Sequence, residues 1–384
     1  MAAIANNPLD SYDLTLETKI NIDELIKLLN VEDLPMLGGV NTDGYPMVSK
    51  VPVDNTIFYW QEQDMPIPRT LLAESGFDAV ETDLTVTTGT GVSFAAGDAI
   101  RVGAEVMFIS AVTADVLTVT RGFAGTTAAA AALGAEVIGL GTILPEGDIG
   151  EQQFRGRDKY SNYTQIWTSK INMTRTSQVI PKYGVPSELG NLVRQVMLSE
   201  GINMEQAALY GVKFQADPRR STGGLAFFLA NTIANGVSGN WLTVSGIEAQ
   251  QQASYDNGGM FTHIVSKPKN FQALNNVSGS ERVTTVDVTD DYRGRQRAQV
   301  VMTEFGEVVL VRNRYVRASD AFGINPEDFI YRQLQPMIMQ PLAKTDDRDK
   351  WMFVAEGGFE VKGQDHQVYW TGLDNTQSLP SNLV

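Results

Sequence analysis

Two histidines are the only imidazoles in the chain, so acid–base chemistry near neutral pH would turn on His263 or His366. His263 lies in the apolar run Met260–Ser266 and His366 in a polar turn. Neither belongs to a His-x-x-x-His pair that grips zinc from one helix face, and no Gly-x-Ser-x-Gly elbow presents a serine nucleophile. Triad partners need only meet in space, so the sequence leaves that chemistry open, but the apolar setting of His263 reads as a core histidine. The groups Asp290-Asp291 and Asp346-Asp347-Asp349 offer oxygens to a hard cation without the glycine and glutamate spacing of an EF-hand loop, and read as solvated turns. Arg121-Gly122-Phe123-Ala124-Gly125-Thr126-Thr127 has the glycines of a phosphate loop, yet the chain contains no Gly-Lys pair to supply its lysine. A tight inter-strand loop is the expectation there. The sequons at Asn162, Asn172 and Asn276 would matter only in a secreted chain. No catalytic residue, cofactor or metal is expected.

Composition is that of an ordinary globular chain. The 384 residues suffice for two or three cores, at 43% hydrophobic and 20% charged. Cysteine is absent, which excludes disulfides and Cys-ligated metal centres. The stretch Met1–Tyr12 has no basic residue and carries Asp10, unlike a secretory signal. The longest apolar stretch, Ala128–Leu140, is short, broken by glycine and contains Glu136. A soluble, cytoplasm-made protein with no membrane partner is expected. The net charge of −15 is localised: residues 1–150 hold 21 Asp and Glu against 6 Lys and Arg, whereas 151–384 hold 24 of each. An acidic surface gains nothing from counterion release, so direct nucleic-acid reading is not expected.

Residues 1–56 read as an arm. Within it Asn21–Asn30 carries Ile22, Leu25, Ile26 and Leu29 at helical spacing, with Asn21 as N-cap. A helix this short needs a partner surface, its own domain or a neighbouring subunit. Ile57–Gln61 reads as a strand whose expected mate is Tyr163–Thr174, where Tyr163, Gln165, Trp167, Ser169 and Ile171 share one face. Between them lies a β cassette, 77–146, with short strands expected at Leu84–Thr87, Ala99–Val102, Glu105–Val112, Val116–Thr120 and Glu136–Leu140, making a small barrel or sandwich. A long helix is expected over Pro186–Tyr210, with an apolar stripe through Leu189, Val193, Val196, Met204 and Ala208, and with Gly201 weakening or bending it.

Beyond Trp241 the pattern is mixed: a helix at Ile247–Tyr255, a buried strand at Met260–Ser266, a helix opening at Pro268–Leu274, and strands at Val283–Val288, Gln299–Thr303 and Glu307–Val311. Trp351–Ala355, Phe359–Val361 and Gln367–Thr371 close the chain as an antiparallel set. Arg293, Arg295, Arg297, Arg312, Arg314 and Arg317 are interleaved with Glu281, Asp287, Asp290, Asp291, Glu304 and Glu307, which favours charge pairing between segments or subunits over nucleic-acid contact.

Three phrases in order along the chain, Asn162-Tyr163-Thr164-Gln165-Ile166, Thr222-Gly223-Gly224-Leu225, and Leu342-Ala343-Lys344 through Lys350-Trp351 to Glu356, resemble the major capsid (major head) proteins of tailed bacteriophages. Gly97-Asp98-x-Ile100-x-Val102 and Leu117-Thr118-Val119-Thr120-Arg121-Gly122 resemble the β domain that some members carry as an insertion. The resemblance covers roughly 57–375 and implies the α+β fold of tailed-phage and herpesvirus-type major capsid proteins. Its implied parts are an N-terminal arm (1–56), an extended β loop (57–76 and 147–180), the small all-β insertion domain (77–146), a peripheral domain (181–240 and 341–384) with its spine helix at about 186–210, and an axial domain (241–340).

The implied function is self-assembly as pentamers and hexamers into an icosahedral phage head enclosing double-stranded DNA, which is contacted only non-specifically. The implied location is the virion, after synthesis in the bacterial host cytoplasm. Portal and scaffold or decoration proteins are the implied partners, and the inserted domain would sit on the outer face. Trp60, Tyr163, Ile166 and Trp167 in the extended loop, Leu25 and Leu29 in the arm, and Arg293, Arg295, Arg312 and Arg314 are the candidate inter-subunit contacts. An encapsulin-like nanocompartment shell and a β-rich virion decoration or adhesion protein are the alternatives.

Overall fold

The structure, a computed structural model of the chain, describes residues 34–38, 47–63, 67–147, 156–180, 187–229, 231–234, 241–271, 274, 283–285, 299–344 and 346–373. The expected helix Asn21–Asn30 therefore lies outside the described residues. The chain divides into two compact units, Trp60–Tyr160 and Met1–Tyr59 with Ser161–Val384.

Short β-branched runs separated by glycine turns make Trp60–Tyr160 a β unit. Its six strands are Arg69–Leu71, Asp83–Thr85, Asp98–Val102, Glu105–Thr113, Val116–Thr120 and Glu136–Thr142. In space Arg69–Leu71 is followed by Glu136–Thr142, Asp98–Val102, Glu105–Thr113, Val116–Thr120 and Asp83–Thr85, every neighbour antiparallel. The two outermost strands then meet: Leu72 bridges Val86, Ala73 N donates to Thr85 O at 2.9 Å, and Thr87 N donates to Leu71 O at 3.0 Å. The sheet is thus a closed barrel, filled by Phe77, Leu84, Ile100, Met107, Ile109 and Val137.

The expected loop after Val119 is organised by an ion pair. Arg121 donates to both oxygens of the buried Glu105 at 2.9 and 2.8 Å, to the carbonyls of Asp78, Glu81 and Ala129, and lies 4.5 Å from the Phe77 ring centroid. Burial pushes the Glu105 carboxyl up, but the Arg121 guanidinium and the Ala129 and Gly122 amides more than reverse this and hold it at about 2, against an ordinary 4.5. The unfolded chain then binds the extra proton first as pH falls. This contribution is present above about pH 4.5 and is lost as pH falls toward 2, on the order of 3 kcal/mol in all. Urea unfolding of this unit across that window is expected to lose this stability in the parent and far less of it in Glu105→Gln; equal acid sensitivity in both would refute the assignment.

The hairpin Glu105–Thr113/Val116–Thr120 turns through Ala114, which holds φ +53°, a left-handed conformation that costs an alanine about 1 kcal/mol. Ala114→Gly is expected to stabilise the unit by about 0.5–1 kcal/mol, read as a rise of a few degrees in its melting temperature. A lower melting temperature would show that the turn is not strained.

The second unit is mixed α+β. A four-stranded sheet runs Ser49–Pro52, Phe329–Pro341, Arg348–Val361, Gln165–Thr174 in spatial order. A seven-stranded sheet runs Thr232–Ala234, Val368–Thr371, Ala321–Ile324, His263–Ser266, Gly306–Arg312, Gln299–Thr303, Val283–Thr285. The helix Val244–Asp256, capped by Thr243 Oγ1 accepting from Gly246 N, shares a core with this second sheet through Val244, Ile247, Phe261, Ile264, Leu310 and Trp370. The spine helix is Glu188–Tyr210, about 35 Å at 1.5 Å per residue, with Ser187 Oγ accepting from Gly190 N at its start.

Several expectations need correction. Ile57–Glu62 pairs with Asp158–Tyr163, not with the run Tyr163–Thr174. That run changes partner at Thr164: its residues from Gln165 to Thr174 pair antiparallel with Arg348–Gly357. Trp351–Ala355 and Phe359–Val361 are one strand, because Gly357 and Gly358 continue the ladder opposite Gln165 and Arg332. Phe329–Pro341 and Ala321–Ile324 were not anticipated. The former contains Pro336, tolerated where register shifts break the ladder between Gln333 and Ile338. Met260–Ser266 is a strand only from His263, and Pro268–Phe271 is a 3-10 turn. Gly201 lies inside the uninterrupted helix Glu188–Tyr210, where a Cβ would stand 2.7 Å from Leu34 Cδ1. Its smallness admits Leu34.

Candidate functional site

The partner change at Thr164 is caused by polar side chains that turn inward. Asn162 is fully buried and shares its two N–H bonds among Thr222 Oγ1 (3.0 Å), Gly223 O (3.0 Å) and Phe359 O (2.6 Å). Its Oδ1 accepts from the amides of Gly223 and Tyr163, each at 2.9 Å. Thr222 Oγ1 in turn accepts from Phe359 N at 3.1 Å. Thr164 Oγ1 donates to Glu356 Oε1 at 2.8 Å, and Arg220 joins them, donating to Thr164 O at 3.0 Å and forming an ion pair with Glu356. Asn162–Ile166, Thr222–Leu225 and the strand Arg348–Val361, far apart in sequence, therefore meet at one buried junction.

Glycine makes the meeting possible. The chain returns from the hairpin Phe214–Ala216/Arg219–Ser221 and presses on the end of the spine helix, where Gly224 N donates to Gly211 O at 2.9 Å. A Cβ on Gly224 would stand 2.4 Å from Ala207 O and 2.6 Å from Ala208 O, both helix backbone. No side chain fits there.

The spine helix carries two further buried grips. Glu205, fully buried, accepts from Met36 N and Leu37 N, each at 3.0 Å, and from Asn313 Nδ2 at 2.7 Å. Glu200 accepts from Ser169 Oγ of the strand Gln165–Thr174. At the helix end, Tyr210 and Tyr369 both donate to Asp320 Oδ2 at 2.9 Å, joining the spine to the seven-stranded sheet. Burial pushes the Tyr210 hydroxyl well above the usual phenol range, and burial with the Asp320 hydrogen bond pushes Tyr369 up to about 12, so both remain donors at neutral pH. Sequence reading missed Glu200 and Glu205. The available signal was an acid set against the apolar residues Met204, Ala207 and Ala208 of the spine stripe.

The candidate contact residues fall in different settings. Trp60 is 5% exposed, stacks on Tyr160 with centroids 6.0 Å apart, and donates from Nε1 to Glu62 at 3.0 Å. Trp167 is also 5% exposed, edge-on to Phe359. Tyr163 is half-buried beneath Lys213, whose Nζ donates to Ser161 Oγ at 2.8 Å and whose burial holds its ammonium pKa below the usual lysine range. Ile166 is 49% exposed, and Arg312 and Arg314 are exposed. Leu25, Leu29, Arg293 and Arg295 lie outside the described residues.

Of the groups considered for chemistry, His263 and the acids Asp346, Asp347 and Asp349 are engaged in structural contacts, and Asp290 and Asp291 lie outside the described residues. His263 is buried, with Nδ1 2.8 Å from Thr262 Oγ1. Asp346, Asp347 and Asp349 form ion pairs with Lys350, Arg175 and Lys344. Among the described residues no group of three or more His, Asp or Glu is placed to hold a metal ion, and no helix is long and apolar enough to cross a membrane. The junction orders backbone.

Comparison with known proteins extends this picture. The capsid of a native GTA particle, solved with C5 symmetry, superposes with a TM-score of 0.53 at 9% identity, over 96% of this chain and 100% of that one. The capsid of the empty GTA particle gives 0.50 at 9% identity, over 96% and 100%. A structure from Mycobacterium phage Bobi gives 0.50 at 9% identity, over 95% and 99%. At such identities the likeness is one of fold, the α+β fold of phage major capsid proteins. No curated protein matches the chain. The family description SU10 major capsid protein, however, matches residues 7–374, which takes in all three phrases of the buried junction, the whole of the unit Trp60–Tyr160 and most of the other unit. The chain belongs to the SU10 major capsid protein family and is a structural subunit of a phage head shell.

Proposed function

We propose that this subunit assembles with copies of itself as pentamers and hexamers into an icosahedral head that encloses double-stranded DNA. The family match across residues 7–374 carries this reading. The buried junction supports it: Asn162, Thr222 and Glu356 tie the strands together, Gly224 N donating to Gly211 O joins them to the end of the spine helix, and a shell built from many weak, repeated contacts needs such a frame to set their angles. The extended loop lies over an adjacent subunit, with the exposed Ile166 as its contact, while Trp60 and Trp167 stiffen it from within. The β unit Trp60–Tyr160 is an insertion in that loop and faces outward. Portal and scaffold or decoration proteins complete the virion, and the chain is made in the cytoplasm of a bacterial host.

Electron microscopy of the purified chain, concentrated with and without a crowding agent, tests the reading. Closed shells, tubes or capsomer rings are expected. A chain that stays monomeric under every condition, including with lysate of the phage host, would overturn it.

A further inference from the structure

The parallel strands His263–Ser266 and Gly306–Arg312 end side by side, with Ser266 opposite Arg312 and Asn313 N donating to Ser266 O at 2.9 Å. From these adjoining ends issue Lys267, Lys269, Arg312, Arg314 and Arg317. Lys267 is half-buried and the other four are exposed. Two of the acids that interleave with them in sequence, Glu304 and Glu307, are among the described residues, and neither reaches them. Glu304 and Glu307 stand at the opposite end of the strand, Glu307 about 17 Å from Arg312 at about 3.3 Å per residue. Asp320 is buried and occupied by Tyr210, Tyr369 and Ser319. Among the described residues none of the five cations forms an ion pair, and Arg317 is laid on the Tyr210 ring at 4.7 Å.

The platform beneath them is fixed. Asn313 and Val316 turn inward, Asn313 donating to Glu205 and accepting from Tyr315 N at 2.7 Å, so Arg312 and Arg314 are set outward on either side of an anchored residue. We infer that this basic end receives a carboxylate-rich segment of a second copy of the chain and forms a subunit–subunit contact. The inference rests on the shell reading above. Charge complementarity selects this occupant: residues 1–150 carry 21 acids against 6 bases, and a shell brings that surplus to its neighbours at fixed geometry. A polyphosphate would instead approach a chain whose net charge of −15 opposes it at long range.

The test uses assembled particles from a mixture of isotopically light and heavy protein, treated with a carbodiimide that joins amine to carboxylate without a spacer. Light–heavy cross-links from Lys267 or Lys269 to Asp or Glu are expected. In parallel, Arg312→Glu with Arg314→Glu is expected to lower particle yield at least tenfold at 0.1 M salt, while Arg312→Lys with Arg314→Lys retains it. Particles whose Lys267 and Lys269 give no light–heavy cross-links would overturn the contact and leave the shell reading intact. The same holds if charge-reversed protein assembles at the parental yield, and lowered DNA content in those particles would assign the patch to nucleic acid. Failure of the parent to form any particle would overturn both.

Discussion

Asn162→Ala is expected to destabilise the unit formed by Met1–Tyr59 and Ser161–Val384 by about 3–5 kcal/mol and to abolish particle formation. The magnitude follows from what the substitution strands. Removing the carboxamide leaves the Gly223 and Tyr163 amides without their acceptor and the Phe359 carbonyl without its side-chain donor, at a fully buried site. A buried donor left unmade costs about 1–3 kcal/mol, more than the hydrogen bond contributes when formed. Asn162→Asp separates shape from hydrogen bonding: it keeps the volume and the acceptors, and sets a carboxylate oxygen against the Gly223 and Phe359 carbonyls. It should be no more stable than alanine. Calorimetric unfolding of the three proteins measures this, and a loss below 1 kcal/mol in Asn162→Ala would show that the junction follows the fold without holding it.

Glu205→Ala is expected to cost about 4 kcal/mol, since it orphans the Met36 and Leu37 amides and the Asn313 side chain together. Glu205→Gln retains one carbonyl acceptor and should lose about half as much. A second reading distinguishes this site from a general core defect. The turn 34–38 is seated by the Glu205 carboxylate and by Leu34 against Gly201, so hydrogen exchange at Met36 and Leu37 should accelerate before the spine helix itself opens. Exchange that stays at the parental rate at those amides would remove Glu205 from the seating of this turn.

Legibility differed between local and long-range features. Five of the six barrel strands came through in the sequence because each is a short β-branched run between turn residues, Arg69–Leu71 being the exception, and the long helix because Pro186, its apolar stripe and Gly211 mark a start, a face and a stop. The family phrases were visible as phrases, but not the reason they recur together. Asn162 lies 60 residues from Thr222 and 197 from Phe359, and periodicity carries no information at such separations. The mate of Ile57–Glu62 was misassigned for the same reason: Tyr163–Thr174 alternates without a break, and only the inward turn of Asn162 and Thr164 divides it between two partners. Phe329–Pro341 was hidden by its prolines. Partners of Ser49–Pro52 end at Gln333, and beyond it the ladder is irregular enough to admit Pro336.

The bridge from Leu72 to Val86 has a consequence for a protein that must be crowded. Shell subunits accumulate in a cell at high local concentration before and during assembly, and an open β-sheet under those conditions offers a row of bare peptide groups to every copy it meets. Closing the ladder through Leu71–Ala73 and Val86–Thr87 spends those groups internally. A barrel can therefore be carried in every copy of the head without seeding strand-to-strand polymerisation, which leaves the order of assembly to the contacts that curve the shell.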